Sequence, residues 1–263
     1  MKTLTLLAVP HLAVLTLPYQ GWPLMITYIV LMFVVLKAAT LIDSENYLHR
    51  NGLLYATTWV GMNYEEFNEQ TECTPQFKAG FISLLIGIVL TYFALDQKNS
   101  SLKAATVFTA MIFIFHFGLL DLNARFWNKL NHNVKPIMNA PWKAATLTEF
   151  WGKRWNMAFR DAAHKLIFIP LNRKFGPFKA AGAVFAFSGI VHEAVISVPA
   201  NGGYGGPFIY FVLQLAAIVL QRNYHMLNNR YFTWLILILP LPLLFHQAFF
   251  MNVFIPLTET IGG

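Results

Sequence analysis

Long apolar runs separated by short polar stretches set the architecture of this chain. Residues 23–42, 79–95, 104–120, 179–198, 207–221 and 232–253 are almost uninterrupted in apolar side chains. At about 1.5 Å per helical residue, the longer runs reach across a hydrocarbon core of about 30 Å. Residues 3–18 are also apolar, though Pro10 interrupts them and Pro18 closes them. A signal peptide is one reading of that run. Only Lys2 precedes it, no convincing small-residue cleavage site follows, and another apolar run begins almost at once, so a first transmembrane helix is preferred. Seven spans are therefore predicted. DQKNSS (96–101) joins the third and fourth into a hairpin, and the uncharged, glycine-rich NGGYGGP (201–207) makes a tight turn.

Two stretches depart from this pattern. The polar interval from Asp43 to Lys78 carries Glu65, Glu66, Glu69 and Glu72, and its mildly apolar middle, 53–62, is expected to lie along the interface. Between 121 and 179, Lys and Arg alternate with Trp and Phe, as in helices that lie in or dip into the interface. Thr146 with Glu149 fits a capping box, so a helix is predicted to begin near Leu147 and run to about Ile169, where Pro170 would end it.

Composition strengthens the membrane reading. The chain is 56% hydrophobic and 12% charged, about half the charge of an ordinary soluble domain. Cys73 is the sole cysteine; it excludes a disulfide framework and reads as a buried or interfacial free thiol. Charge is unevenly placed: residues 121–179 hold eleven Lys/Arg against Asp121, Glu149 and Asp161, so this segment alone exceeds the +7 of the whole chain. Placing it with Arg222 and Arg230 in the cytoplasm puts the N-terminus inside and the C-terminus outside. A basic block there is a topology determinant, and it would also attract anionic lipids or a phosphate-bearing substrate. No nucleic-acid partner is expected. No repeat or linker divides the chain, so residues 1–263 read as a single domain.

Candidate chemistry concentrates in TLTEFWGKRWN (146–156) and SGIVHE (188–193). His192 falls roughly 20 Å along its span, where an ionisable group is costly unless it faces protein or a cavity. Helical spacing puts Ser188 and Gly189 on its face and turns Glu193 about 100° away. Ser188 is positioned to hold one ring nitrogen, and Gly189 leaves space for a substrate or another helix. The competing reading is a packed structural histidine. Neutral imidazole is a natural base for an alcohol proton. Asn156 offers an amide donor to a carbonyl or an acceptor to a hydroxyl. Lys153 and Arg154 serve either as phosphate partners or as interfacial anchors. His116 reads as a helix-packing contact, and His11, His49, His132, His164, His225 and His246 fall near span ends, in polar segments or beside no obvious partner. No zinc, nucleotide or serine-hydrolase motif occurs, so no metal is expected.

TEFWGKRWN (148–156) and SGIVHE, in this order and with these flanking spans, resemble the membrane-bound O-acyltransferases, specifically the wax synthase-like branch. The likeness is persuasive over 110–260. It implies an all-α polytopic membrane protein, with about seven transmembrane helices and interfacial helices around an intramembrane tunnel. It also implies an O-acyltransferase that moves a long acyl chain from acyl-CoA to the hydroxyl of a hydrophobic alcohol, forming an ester. No cofactor is required, since acyl-CoA is a co-substrate. His192 and Asn156 take the catalytic positions, with Trp151, Lys153, Arg154, Trp155, Ser188 and Gly189 binding substrate. Such enzymes sit in a bacterial inner membrane or the endoplasmic reticulum. The alternative from another class is a non-catalytic lipid-binding or transporter-like helical bundle.

Overall fold

A computed structural model describes residues 2–42, 50–72 and 74–262; Cys73 and His49 lie outside them. The described residues are helical almost throughout: α1 (Lys2–Thr16), α2 (Trp22–Ile42), α3 (Arg50–Thr58), α4 (Tyr64–Asn68), α5 (Lys78–Leu95) and α6 (Ser100–Lys129). They continue through α7 (147–154), α8 (157–175), α9 (Pro177–Ala200), α10 (Gly206–Asn223), α11 (Arg230–Leu244) and α12 (Gln247–Thr260). The all-α membrane architecture is as expected, but the count of seven spans is not confirmed. Four helices, α2, α5, α6 and α9, are long and apolar enough to cross a membrane, and α11 with α12 makes a fifth only as one span bent by 59°. Residues 6–16 form a shorter apolar helix. Several helices pass through π-helical turns.

The helix predicted from Leu147 to Ile169 is broken. The Thr146 hydroxyl accepts from the Glu149 N–H at 3.1 Å, as a cap should. Yet α7 ends at Arg154, Trp155 is extended, and Asn156 adopts φ +44°, a left-handed conformation that Asn tolerates better than most residues. Pro170 does not stop α8 either. A π turn over His164–Phe168 precedes it, and the helix runs on to Phe175, ending at Gly176 with φ +81°. Widening the helix to i→i+5 bonds accommodates a residue that has no N–H to donate.

The segment 53–62 has two faces, with Leu53, Leu54, Thr57 and Thr58 exposed. Tyr55, Trp59 and Met62 are buried. The Lys37 ammonium, itself buried in α2, donates to the carbonyls of Trp59, at 2.7 Å, and Gly61, and lies 3.4 Å from the centre of the Tyr55 ring. Irregular backbone is tolerated among spans where such contacts satisfy its carbonyls. One apolar core joins α1, α2, 55–67 and α8 to Val191 and Ala194 of α9. A second joins α6, α10, α11 and α12 to Ile196 and Ala200. His192 thus lies on the helix shared by both cores.

Candidate active site

The stretch 146–156 is held from three directions. Glu149 accepts from the Ala145 N–H at 2.8 Å and from the Arg154 guanidinium, with Nε at 2.7 Å. The Ala145 amide first, and Arg154 after it, hold the Glu149 carboxyl below the usual carboxylate range. Arg154 also donates to the Asn139 and Ala140 carbonyls at 3.2 and 3.4 Å. Residues 137–139 run alongside, exchanging Asn139 N–H to Arg154 O at 2.8 Å and Met157 N–H to Ile137 O at 2.9 Å. From the other side, buried Gln221 accepts from the Leu147 N–H at 2.9 Å and donates to Thr233 at 3.1 Å; Thr233 in turn donates to the Ala145 carbonyl at 2.9 Å. Arg154 is therefore occupied in building the loop, whereas Lys153 is exposed beside it.

This framework presents Asn156 in one orientation. Its Oδ1 accepts from the Phe159 N–H at 3.1 Å, capping α8. With the oxygen engaged, the amide N–H groups are the part offered to a ligand. Of the two roles open to Asn156 on sequence, the donor is the one its geometry favours.

On α9, His192 Nδ1 lies 2.7 Å from the carbonyl oxygen of Ser188. A carbonyl only accepts, so Nδ1 carries the proton and Nε2 keeps the lone pair of the neutral ring. Ser188 thus acts through its backbone rather than its hydroxyl. The ring packs 4.5 Å from Phe211 and is half-buried. Gly189 serves helix packing: a Cβ there would stand 2.7 Å from Phe208 Cδ2 and 3.1 Å from its Cα, so the space is filled by α10. Glu193, turned away from His192 as its spacing requires, accepts from the Phe208 N–H at 3.1 Å and ties α9 to the start of α10.

Two aromatic bridges bring the two motifs together. Trp151 lies 5.6 Å from Phe211, which touches His192. Phe159, whose amide Asn156 caps, stacks at 5.9 Å and 8° on Phe187, next to Ser188. Trp155 stacks between Phe150, at 5.5 Å, and His116, at 6.1 Å. Among the described residues, no hydrogen bond joins Asn156 to His192. Sequence reasoning missed Gln214, which is fully buried on α10, accepts from Trp151 Nε1 at 3.3 Å and donates to the Ile236 carbonyl at 2.9 Å. A lone glutamine in the middle of an apolar run was the signal available. A shallow open cleft lies just past Asn156, lined by Met157, Asp161, Asn63, Glu66 and Lys135 among others. Burial there pushes the Asp161 carboxyl up to about 6, against the opposing pull of Arg160, 2.7 Å away.

Residues 134–213, which contain both motifs, match the sequence model of the membrane bound O-acyl transferase family. The chain is similar to three proteins of Arabidopsis thaliana. Probable long-chain-alcohol O-fatty-acyltransferase 2 is 32% identical over 128 residues, covering 45% of this chain and 37% of that protein. Probable long-chain-alcohol O-fatty-acyltransferase 1 is 32% identical over 72 residues, covering 24% and 21%. Acyl-CoA–sterol O-acyltransferase 1 is 30% identical over 69 residues, or 25% or less of either chain. The matched parts span less than two-fifths of these relatives' own lengths.

Proposed function

We propose, for a chain whose residues 134–213 match the model of the membrane bound O-acyl transferase family, that it esterifies a hydrophobic alcohol within the membrane, using acyl-CoA as the acyl donor. The observation that carries this reading is the His192 Nδ1 contact to the Ser188 carbonyl. It leaves Nε2 unprotonated in the neutral ring, ready to take a proton, and it stabilises the imidazolium once the proton arrives.

In the proposed step, Nε2 removes the alcohol proton as the oxygen attacks the thioester carbon. The carbonyl oxygen gains negative charge, and the Asn156 amide donates to it. Collapse breaks the carbon–sulfur bond, the ester forms, and the departing thiolate takes the proton back from His192 as coenzyme A. Holding two apolar reactants against the same aromatic wall, Trp151, Phe211 and Trp155, removes much of the entropic barrier. Lys153, exposed at the mouth of the loop, is suited to the coenzyme A phosphates, while Arg154 supports it from the frame. The relatives' names point to long-chain alcohols and sterols as acceptor classes.

The test is ester formation by the purified protein from a long-chain acyl-CoA, with a fatty alcohol or a sterol as acceptor. The wild type is expected to form ester, and His192→Ala to lose about 10²- to 10⁴-fold in turnover. Unchanged turnover in the variant removes His192 from the chemistry. No ester with either acceptor removes the reaction.

A further inference from the structure

His116 was read from sequence as a packing contact, yet its surroundings in the fold fit a ligand better. It lies on α6 near the polar end of the apolar run 104–120, about 7.5 Å along the helix axis from Asp121 at about 1.5 Å per residue. Its ring stacks on Trp155 at 15°, and Trp155 stacks on Phe150 at 14°. His116 is thus the outer leaf of a three-ring stack whose middle member immediately precedes Asn156. Its Nδ1 is buried with no hydrogen-bond partner. A buried nitrogen left unpaired is destabilising, and such groups call for an explanation. Leu119, three residues on and on the same face, is 43% exposed, and neighbouring Phe115 is 46% exposed. The imidazole therefore sits where the helix carrying it meets lipid on one side and the 147–156 loop on the other.

The chemistry of the missing partner follows from the ring and its surroundings. The imidazole lies against Trp155 with the exposed apolar side chains Phe115 and Leu119 beside it, surroundings that do not solvate a phosphate. An acyl chain has nothing to offer a nitrogen, and a thioester carbonyl can only accept. A hydroxyl both donates and accepts, so it pairs with imidazole whichever nitrogen holds the proton. A half-turn about χ2 leaves the ring in the same plane against Trp155 while moving Nδ1 to the opposite edge.

We propose that His116 is the docking point for the acceptor's hydroxyl, met by an alcohol that enters from the bilayer beside α6 on its way to His192. The inference rests on the acyl-transfer reading and names the route of its second substrate. His116 binds the alcohol and takes no part in the bond-making step.

The experiment uses His116→Phe, which keeps a flat ring on Trp155 and removes both nitrogens, beside His116→Asn, which restores a donor and an acceptor. Kinetics on the full chain should show KM for the fatty alcohol raised roughly tenfold in His116→Phe, partly recovered in His116→Asn, with KM for acyl-CoA and kcat within about twofold of the wild type. Photolabelling with a diazirine-bearing long-chain alcohol, without acyl-CoA, should mark the peptides holding His116 and Trp155 in the wild type and fade in His116→Phe. Equal alcohol KM in both variants, a shift confined to acyl-CoA, or loss of folding in both would overturn the proposal and leave the acyl-transfer reading standing. If the wild type forms no ester yet shows His116-dependent labelling, the docking site stands and the reaction falls. Absence of both ester and labelling ends both.

Discussion

The two halves of the candidate site solve the same problem by opposite means. His192 rides on a continuous helix, as the last residue before a π turn over Glu193–Ser197: Ser188, one turn back, orients its ring through a backbone carbonyl, and Gly189 lets α10 close over the same turn. Asn156 sits where a helix has failed. Its left-handed backbone, the antiparallel run of 137–139, and the Glu149–Arg154 and Gln221–Thr233 contacts together hold one amide. A general base needs only a fixed tautomer, which one hydrogen bond supplies. An oxyanion donor needs its N–H placed to within fractions of an ångström, which takes a frame.

The strongest probe of this contrast is a pair of substitutions at Asn156. Asn156→Ala is expected to lower kcat by about 10²- to 10³-fold. Having no cap oxygen and a poor fit to φ +44°, it should also lose roughly 1–2 kcal/mol of stability. Asn156→Gly should lose the same activity with far less destabilisation, because glycine accepts the left-handed backbone. Equal unfolding midpoints for the two would show that the backbone there is unstrained. At the helical half, Gly189→Ala should cost about 1–3 kcal/mol through the Phe208 clash. Turnover should fall too, as Phe211 is displaced from His192; a variant with wild-type melting would refute the close approach of the two helices.

The smallest effect expected lies in the cleft past Asn156. Asp161 is protonated more readily in the fold, near pH 6, than in an unfolded chain, with Arg160, Glu66 and Lys135 as its charged neighbours. The folded state thus binds the extra proton, and stability from this group is present below the unfolded value and lost as pH rises towards 6. Wild type should lose roughly 1–2 kcal/mol between about pH 4 and pH 6 relative to Asp161→Asn. Parallel stability–pH curves for the two proteins would reject that assignment.

Much of this was legible in the chain. Hydropathy located α2, α5 and α9 nearly to the residue, because a span is a local property of some twenty consecutive side chains. The cap at Thr146 and the face shared by Ser188, Gly189 and His192 were likewise set by neighbours within one turn. The count of spans was less legible: residues 6–16 form only a short apolar helix, Gly206–Asn223 is not among the long apolar ones, and 232–253 falls on two helices bent by 59° near His246, so length in sequence is a poor guide to length in space.

What the tertiary structure alone decided depends on residues far apart in the chain. The break at Asn156 requires Ile137 and Asn139 as partners, the fate of Arg154 requires Glu149 and two carbonyls of the preceding loop, and the filled space at Gly189 belongs to Phe208. The sequence by itself determined that a histidine would stand deep in a membrane span beside a basic aromatic motif, since helical spacing and hydrophobicity are enough for that. Which nitrogen of His192 is free, which end of Asn156 faces outward, and what stacks on Trp155 were decided by packing. Such contacts are directional, and no local pattern encodes them.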